Sequence, residues 1–231
     1  MARGYFVTGT DTGIGKTTFA LALIRALQQR GLQVAAMKPV AAGGEWEAGR
    51  CLNEDVLALS QAANVKVDLA TMNPYAFLPA IAPHIAAEQA GTSIELNHIA
   101  LAYAALAAQA DVVVVEGAGG WRVPLNAQQD IADLAVALDL PVILVVGMRL
   151  GCLNHALLTA DAIAQRGLQW AGWVANILDA NMPALDENIA TLHARLPQPY
   201  LGRLTRAQND DDFVMQWSSA FANLHAPISQ G

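Results

Sequence analysis

The first residues that could do chemistry form a glycine-rich stretch with a lysine and adjacent hydroxyls. Gly9, Gly13 and Gly15 follow a short run of β-branched and aromatic residues, and Lys16-Thr-Thr18 opens an Ala/Leu-rich segment. Glycines let backbone N–H groups turn toward one anion, and a helix N-terminus adds partial positive charge. The lysine of such a loop reaches the β- and γ-phosphates of a nucleotide, and the first hydroxyl takes a Mg²⁺ coordination position.

The spacing of this stretch departs from the usual pattern of phosphate-binding loops. Such loops have four residues between their outer glycines, whereas five residues separate Gly9 from Gly15. The alternative interpretation is a glycine-rich turn between a strand and a helix with an incidental lysine. The apolar run before the glycines and the helical pattern after Lys16 favour the phosphate-binding loop.

Polar residues also follow other apolar runs that predict strands. Lys38 follows Val34–Met37, Glu116 follows four consecutive valines, and Asn176 follows Trp170–Ala175. The carboxyl ends of parallel strands meet at one edge of a sheet, where the ligands of α/β proteins bind. We therefore expect these side chains to converge on the glycine-rich loop.

Each of these residues has a chemical and a structural interpretation. Glu116 stands where an acid holds Mg²⁺ in nucleotide sites, and Asp55 is a second candidate ligand. The alternatives are a solvated acid at a strand end and a helix cap, respectively. Lys38 is either a phosphate clamp or a surface residue with a buried stem. Thr12, inside the glycine-rich loop, could donate to a phosphate or substrate oxygen.

Strand-like and helix-like segments alternate along the chain, which predicts a parallel sheet covered by helices on both faces. The predicted strands are Tyr5–Thr8, Val34–Met37, Val112–Val115, Val142–Val146, Trp170–Ala175 and Tyr200–Leu204. The predicted helices are Lys16–Gln29, one that opens near Asn53, Pro83–Gln89, Asn97–Gln109, Ile131–Leu138, Leu153–Arg166, Leu185–Arg195 and Asp211–Leu224. We expect a glycine-bearing loop over Ala41–Gly49, little regular structure over residues 66–96, and one domain over residues 1–231.

Composition argues against several classes of partner. The net charge of −7 and the pI near 5.1 argue against nucleic acid as the main partner. The longest apolar runs, Ile99–Ala108 and Val142–Met148, are too short for a membrane-spanning helix. Cys51 and Cys152 lack the spacing of a zinc or redox site and suggest reduced thiols. Because the sequence contains no signal-peptide pattern, we expect a cytoplasmic protein.

A series of segments, in order over about residues 5–204, matches one family of enzymes. The segments are Val7-Thr-Gly-Thr-Asp-Thr12, Gly15-Lys-Thr17, Lys38-Pro-Val-Ala41, Asp55, Asn73-Pro-Tyr75, Pro83-His84, Val115-Glu-Gly-Ala-Gly-Gly-Trp121, Leu140-Pro-Val-Ile-Leu-Val-Val-Gly147, Leu150-Gly-Cys-Leu-Asn-His155 and Gly172-Trp-Val-Ala-Asn176. In these segments the chain resembles the dethiobiotin synthetases of biotin biosynthesis, whose phosphate loop has the same five-residue spacing. The resemblance implies a three-layer P-loop NTPase-like α/β fold, with a mainly parallel central sheet flanked by helices.

The resemblance implies an ATP- and Mg²⁺-dependent cyclo-ligase. In that family one amine of 7,8-diaminopelargonate takes up CO₂ as a carbamate, and ATP phosphorylates the carbamate to a mixed anhydride. The second amine then closes the ureido ring of dethiobiotin as phosphate leaves. A carbamate oxygen is a weak nucleophile, so such an enzyme must mainly position it and neutralise phosphoryl charge. The expected partners are therefore the diamine, CO₂ or bicarbonate, and ATP.

The resemblance also implies roles for individual residues. The expected catalytic residues are Lys16 and Lys38, which flank the transferring phosphoryl group, and Thr12, which touches the diamine or its carbamate. The expected Mg²⁺ ligands are Thr17, Asp55 and Glu116. The expected nucleotide contacts are Gly13, Ile14, Gly15, Lys16, Thr17, Thr18, Asp55, Glu116, Gly117, Ala118, Gly119 and, at the adenine, Asn176. The expected substrate contacts are Thr12, Lys38, Ala42, Gly151, Cys152, Leu153 and Asn154, the last four across a homodimer interface.

A few positions depart from the family pattern and leave alternatives open. Ala42 stands where the family often has a substrate-contacting serine, and Asn188 lies near a position where some members have a tyrosine at the substrate tail. Ile177 and Arg203–Arg206 differ from the residues that usually surround the adenine. One alternative is a paralogue of the same fold with another substrate. Another is a P-loop switch or partitioning ATPase, but these carry an additional early lysine in the loop, and positions 9–15 contain none.

Overall fold

A seven-stranded sheet organises residues 3–47, 49–206 and 213–225, the part of the chain that the computed structural model describes. The strands are β1 (Arg3–Gly9), β2 (Val34–Met37), β3 (Val40–Ala42), β4 (Glu45–Glu47), β5 (Arg50–Leu52), β6 (Tyr75–Phe77), β7 (Val112–Glu116), β8 (Val142–Met148), β9 (Trp170–Ile177), β10 (Tyr200–Arg206) and β11 (Phe213–Trp217). The helices are α1 (Lys16–Gln28), α2 (Glu54–Ala62), α3 (Leu69–Met72), α4 (Pro83–Gln89), α5 (Leu96–Ala107), α6 (Ile131–Leu138), α7 (Cys152–Ala164), α8 (Leu185–Arg195) and a 3₁₀ helix (Ser219–His225). Within these ranges no helix combines the length and apolarity that crossing a bilayer requires.

The order of the strands decides which loops meet. The order is β11-β10-β9-β8-β1-β7-β2, and every neighbouring pair is parallel except β10 with β11. β1 lies between β7 and β8, with Val7 opposite Glu116 and Gly9 opposite Val145. The carboxyl ends of β1, β7 and β2 are therefore side by side, which brings the glycine-rich loop, Glu116 and Lys38 to one edge of the sheet.

Helices cover both faces of the sheet. Alternate residues of β7 point into two apolar cores, so that Val113 and Val115 belong to one core and Val112 and Val114 to the other. α1 and α2 pack on the face that carries Val112, and α5 to α8 pack on the opposite face. Strands buried on both faces have continuous apolar sequences, because neither side of the strand meets water. The predicted three-layer α/β fold with a mainly parallel sheet is confirmed.

The predicted helix Asp211–Leu224 is wrong over the residues that the structure describes. Phe213–Trp217 is the antiparallel edge strand, and a 3₁₀ helix follows it; residues 211 and 212 lie outside the described ranges. This edge strand satisfies the free hydrogen-bonding groups of β10. Trp217 then stacks on Phe221, with ring centroids 3.4 Å apart. Antiparallel pairing with the preceding strand β10 thus outweighs the local helical pattern.

The segment after β2 is more regular than predicted. β3 and β6 pair in parallel, with Val40 opposite Tyr75 and Ala42 opposite Phe77, and β4 and β5 form an antiparallel hairpin. The expected loop Ala41–Gly49 therefore contains the end of β3 and all of β4. β3 finds its partner far along the chain, so a local pattern could not reveal this small sheet.

Candidate active site

The glycine-rich stretch forms the loop between β1 and α1. Gly13 and Gly15 have φ values of +71° and +84°, a region that favours glycine. Lys16 begins α1, and its ammonium donates a hydrogen bond of 2.9 Å to the carbonyl oxygen of Asp11, so the lysine folds back over the loop. A loop of this kind at a helix N-terminus has the backbone geometry that phosphate binding needs.

A buried side chain anchors the loop to the sheet. Ile14 is 1% exposed. A Cβ atom added to Gly9 would lie 2.6 Å from Ile14 Cδ1, and one added to Gly147 would lie 2.7 Å from Ile14 Cγ2. A larger residue at either glycine would collide with Ile14, so β1 and β8 leave a slot that this side chain fills. Packing as well as backbone turns therefore fixes the loop.

A lysine, two carboxylates and a hydroxyl meet beside the loop. Lys38 Nζ donates hydrogen bonds to Asp55 Oδ2 at 2.7 Å and to Glu116 Oε1 at 2.5 Å. The Thr17 hydroxyl donates to the same Glu116 oxygen at 2.9 Å. Lys38 and Glu116 are only 5% and 1% exposed, so water screens their attraction weakly. The convergence of strand ends that the sequence predicted is present.

Burial and charge shift the pKa values of these groups in different directions. Burial lowers the pKa of Lys16 to about 8, although the Glu116 and Asp55 carboxylates oppose the shift. Burial also acts to lower the pKa of Lys38, but the two carboxylates outweigh it, and that pKa is raised. Burial acts to raise the pKa of Asp55, but Lys38 holds it below its ordinary value. At neutral pH both lysines are therefore mainly cations, as phosphate binding requires.

A cavity of about 700 Å³ opens onto this cluster. The phosphate loop and the lysine–carboxylate cluster form the polar part of its lining. Ala42, residues 80–83 and Val123 supply an apolar part. The volume lies in the range of small-molecule sites. The cavity can therefore hold a phosphate group against its polar part and hydrocarbon against its apolar part.

The oxygen atoms around Glu116 suit a magnesium ion. Glu116 Oε2 is buried and has no hydrogen-bond partner. Glu116 Oε1 accepts a hydrogen bond from the Thr17 hydroxyl. The Asp55 side chain beside them is 43% exposed. No three His, Cys, Asp or Glu side chains form a metal cluster in the portion of the chain that the structure describes. Mg²⁺ is commonly held by one or two carboxylates together with phosphate oxygens and water. This set therefore suits Mg²⁺ bound with a nucleotide better than a metal held by protein alone.

Comparison with known proteins assigns the chain to a family. A family model described as an AAA domain matches residues 3–209. The chain is 53% identical over 200 residues to the ATP-dependent dethiobiotin synthetase BioD of Xanthomonas axonopodis pv. citri, a match that covers 87% of this chain and 89% of that protein. It is 54% identical over 207 residues to BioD of Pseudomonas aeruginosa, with coverages of 88% and 90%. The chain belongs to the dethiobiotin synthetase family.

Solved structures outside the dethiobiotin synthetases share the fold. A ParA family ATPase from Chlorobium tepidum has a TM-score of 0.54 and 14% identity, and the match covers 90% of this chain and 87% of that one. The cell division protein FtsY of Thermotoga maritima has a TM-score of 0.51 and 17% identity, with coverages of 97% and 68%. At such identities the likeness shows a common architecture, and it confirms the P-loop NTPase-like fold.

Most residues expected from the dethiobiotin synthetase resemblance line the cavity. They are Thr12, Gly13, Gly15, Lys16, Thr17, Thr18, Lys38, Ala42, Asp55, Glu116, Ala118 and Gly119. Two others have packing contacts in the structure: Ile14 fills its slot beneath the loop, and a Cβ on Gly117 would lie 3.1 Å from the ring of Phe6. The fold thus gathers residues from five separate segments of the sequence, while their roles toward ligands stay predictions.

Two groups expected from the dethiobiotin synthetase pattern do not line this cavity. Asn176 is 2% exposed, and its Nδ2 donates a 2.7 Å hydrogen bond to the carbonyl oxygen of Ile14, so its amide lies under the loop. Residues 151–154 lie at the start of α7, where Cys152 is buried and Asn154 is exposed. The adenine contact and the contacts across a subunit interface both stay predictions.

The sequence did not reveal the residues that position the predicted ones. Asn73 Nδ2 donates to the carbonyl oxygen of Lys38 at 2.6 Å and fixes the backbone at the end of β2. The guanidinium of Arg149 pairs with the carboxylate of Asp11 and ties the phosphate loop to the segment before α7. The Asn-Pro-Tyr motif signals Asn73 without showing its role, and no sequence signal points to Arg149.

Proposed function

We propose that this chain catalyses the ATP-dependent closure of 7,8-diaminopelargonate and CO₂ to dethiobiotin in biotin biosynthesis. The observation that carries the proposal is the convergence of Lys16, Lys38, Thr17 and Glu116 on one cavity. Phosphoryl transfer needs cations and a set of metal-binding oxygens around the same phosphate group. Membership of the dethiobiotin synthetase family supports the identity of the substrates.

The proposed reaction asks the protein to bind and orient its substrates. One amine adds to CO₂ and loses a proton, and a carbamate oxygen then attacks the γ-phosphorus of ATP as ADP leaves. The second amine attacks the carbamoyl carbon, phosphate leaves, and a proton is released as the ring closes. Lys16 and Lys38 stabilise the negative charge on the phosphate oxygens, and the Thr12 hydroxyl donates to the carbamate.

Thr17, Asp55 and Glu116 would hold the Mg²⁺ ion that we propose for this reaction. When bound there, the ion would supply positive charge that stabilises the negative phosphate oxygens. The unpartnered Oε2 atom of Glu116 supports this assignment. Lys38 now spans Asp55 and Glu116, so its ammonium would exchange carboxylate partners for phosphate oxygens when the nucleotide binds.

We propose that the working enzyme is a cytoplasmic homodimer. In it, Gly151, Cys152, Leu153 and Asn154 of each subunit would reach the substrate's carboxylate tail at the other subunit's site. Leu150 supports a partner surface at this place, because a leucine that is 97% exposed beside the segment leaves apolar area open to water. Gly13 to Thr18 and Gly117 to Gly119 are assigned to the nucleotide.

One feature of the cavity favours an alternative substrate of the same reaction type. Ala42 offers no hydroxyl where the family often has serine, and residues 80–83 beside it in the lining are alanine, isoleucine and proline. A paralogue that acts on another amine would keep the phosphate loop and change this apolar wall. 7,8-Diaminopelargonate and the alternative amine would therefore differ in the part of the substrate that contacts this apolar wall.

The test is fixation of labelled bicarbonate into acid-stable product with ATP, Mg²⁺ and 7,8-diaminopelargonate, with each component omitted in turn. We expect label in the product only when all components are present. Nucleotide binding without fixation of label would reject 7,8-diaminopelargonate and favour the paralogue. Absence of nucleotide binding would reject the ATP-dependent reaction itself.

A further inference from the structure

We propose that Asn73 is a positioning residue that holds the Lys38 ammonium in place for phosphoryl transfer. The proposal rests on the function proposed above, in which Lys38 stabilises the charge of the phosphoryl group. Its first observation is that consecutive residues hold both polar backbone groups of Lys38. The Lys38 N–H donates to the Met72 carbonyl oxygen at 3.0 Å, and the Lys38 carbonyl oxygen accepts from Asn73 Nδ2 at 2.6 Å. Its second is that Asn73 is only 8% exposed.

Lys38 depends on these contacts because it lies just beyond the large sheet. The pairing of β2 with β7 ends at Met37, opposite Val115, and β2 is the last of the seven described strands on its side. Pro39 follows Lys38 and has no backbone N–H to donate. The hydrogen bonds that fix the backbone of Lys38 therefore come from residues 72 and 73.

The amide of Asn73 joins two segments of the chain at this point. A primary amide carries two N–H donors, and Asn73 Nδ2 donates to the carbonyl oxygens of Lys38 at 2.6 Å and Tyr75 at 3.1 Å. The Asn73 backbone N–H donates to the Leu69 carbonyl oxygen at 2.8 Å, which anchors the residue at the end of α3. A side chain without donors at position 73 would remove the partner of the Lys38 carbonyl oxygen at a buried place, where a lost hydrogen bond is costly.

The position of this backbone matters because the Lys38 ammonium has closely defined partners. Its Nζ lies 2.7 Å from Asp55 Oδ2 and 2.5 Å from Glu116 Oε1. A rotation of the backbone at residue 38 turns the Cα–Cβ bond, and the end of the four-carbon side chain then moves farther than the carbonyl itself. A misplacement of about 1 Å can lower a rate about 100-fold. Asn73 therefore acts on the reaction through Lys38.

A purely structural role of Asn73 and a positioning role make different predictions. If Asn73 only stabilises the fold, its loss lowers the melting temperature and has the same effect on kcat whether or not residue 38 is a lysine. If Asn73 acts through Lys38, its loss lowers kcat only when the lysine is present. A double-mutant cycle between the two positions separates these roles.

The experiment measures kcat for label fixation and the melting temperature of wild-type protein, Asn73→Leu, Lys38→Met and the double variant. Leucine keeps the approximate size of asparagine and removes the donors. We expect Asn73→Leu to lower kcat about tenfold or more in the wild-type background and by less than about twofold in the Lys38→Met background. The control is Asn64→Leu, because the Asn64 amide binds the backbone at Val34 and Leu32, at the other end of β2. This control should keep the wild-type kcat.

A loss of kcat by the same factor in both backgrounds, or a wild-type kcat for Asn73→Leu, would overturn the positioning role. Absence of label fixation by the wild-type protein would instead reject the proposed function. Asn73→Ser replaces Asn73→Leu if the leucine variant does not fold. If Lys38→Met does not fold, the test is NMR of the Lys38 ammonium in protein with isotope-labelled lysine. Its signal should shift in the Asn73 variant and stay in place in Asn64→Leu, and an unshifted signal in the Asn73 variant would contradict the proposal.

Discussion

At the scale of single residues, Lys16 is a buried lysine whose side chain has a backbone carbonyl as its hydrogen-bond partner. Its ammonium donates to the carbonyl oxygen of Asp11, and burial lowers its pKa to about 8. A lysine that is costly to bury and is held by a neutral carbonyl gives little to the stability of the fold. Its position is better explained by an anion that would replace the carbonyl as its partner.

We expect Lys16→Ala to lower turnover by about 10²- to 10³-fold, because one cation that stabilises the phosphoryl group is lost. The melting temperature should not fall. Dethiobiotin formation and thermal unfolding measure the two effects. The matched control is Lys66→Ala, which removes a lysine bound to the carbonyls of Ser60 and Gln61 away from the cavity and should keep wild-type turnover. Turnover of Lys16→Ala within a few-fold of wild type would contradict the phosphate contact.

The proposed role of Glu116 as a Mg²⁺ ligand can be tested through the Mg²⁺ dependence of activity. We expect Glu116→Gln to raise the Mg²⁺ concentration for half-maximal activity by about tenfold or more, because an amide oxygen is a weaker ligand than a carboxylate. A Mg²⁺ titration of activity measures this shift. Glu54→Gln provides the control, since Glu54 is an exposed acid next to Asp55. An unchanged titration for Glu116→Gln would reject the metal role.

At the scale of secondary-structure elements, the start of α6 shows how charge fixes a helix end. Asp130 and Asp133 form a capping box, in which each side chain accepts a hydrogen bond from the other residue's backbone N–H. Arg166, which follows the end of α7, forms an ion pair of 2.9 Å with Asp133. Burial acts to raise the pKa of Asp133, but the Asp130 N–H and Arg166 lower it below its ordinary 3.8.

A carboxyl with a depressed folded-state pKa adds stability above its unfolded pKa, and this stability is lost as the pH falls through the folded pKa. We therefore expect Asp133→Asn to lower the free energy of unfolding by about 1 kcal/mol at pH 7. The difference should shrink as the pH falls below 3.8. Urea unfolding over this pH range measures it. Equal differences at every pH would contradict a contribution from the charge.

At the scale of the whole molecule, the homodimer proposed above would place residues of two subunits at each site. We expect sedimentation to show a dimer and two inactive variants to complement each other. Lys16→Ala removes the phosphate contact of its own subunit, and Asn154→Ala removes the tail contact that the subunit offers to its partner. A mixed dimer keeps one site with both contacts, so an exchanged mixture should regain roughly a quarter of wild-type activity. An active monomer, or a mixture that stays inactive, would contradict the shared site.

Local patterns predicted well those parts of the fold whose signals lie in neighbouring residues of the sequence. The continuous valines of β7 indicated a strand buried on both faces, because each face meets helices. The loop before Lys16 could be predicted because its glycines, lysine and hydroxyls are neighbours in sequence. Phe213–Trp217 could not be predicted as a strand, because its structure depends on hydrogen bonds to β10.

The sequence by itself determined the phosphate loop, the alternation of strands and helices, and the family to which the chain belongs. Only the tertiary structure decided that Glu116 meets Thr17 and Lys38, because β1 inserts between β7 and β8 and β2 joins at the edge. Only the tertiary structure placed Asn176 beneath Ile14. Contacts between distant segments depend on strand order and close packing, and neither can be predicted from the pattern of neighbouring residues in the chain.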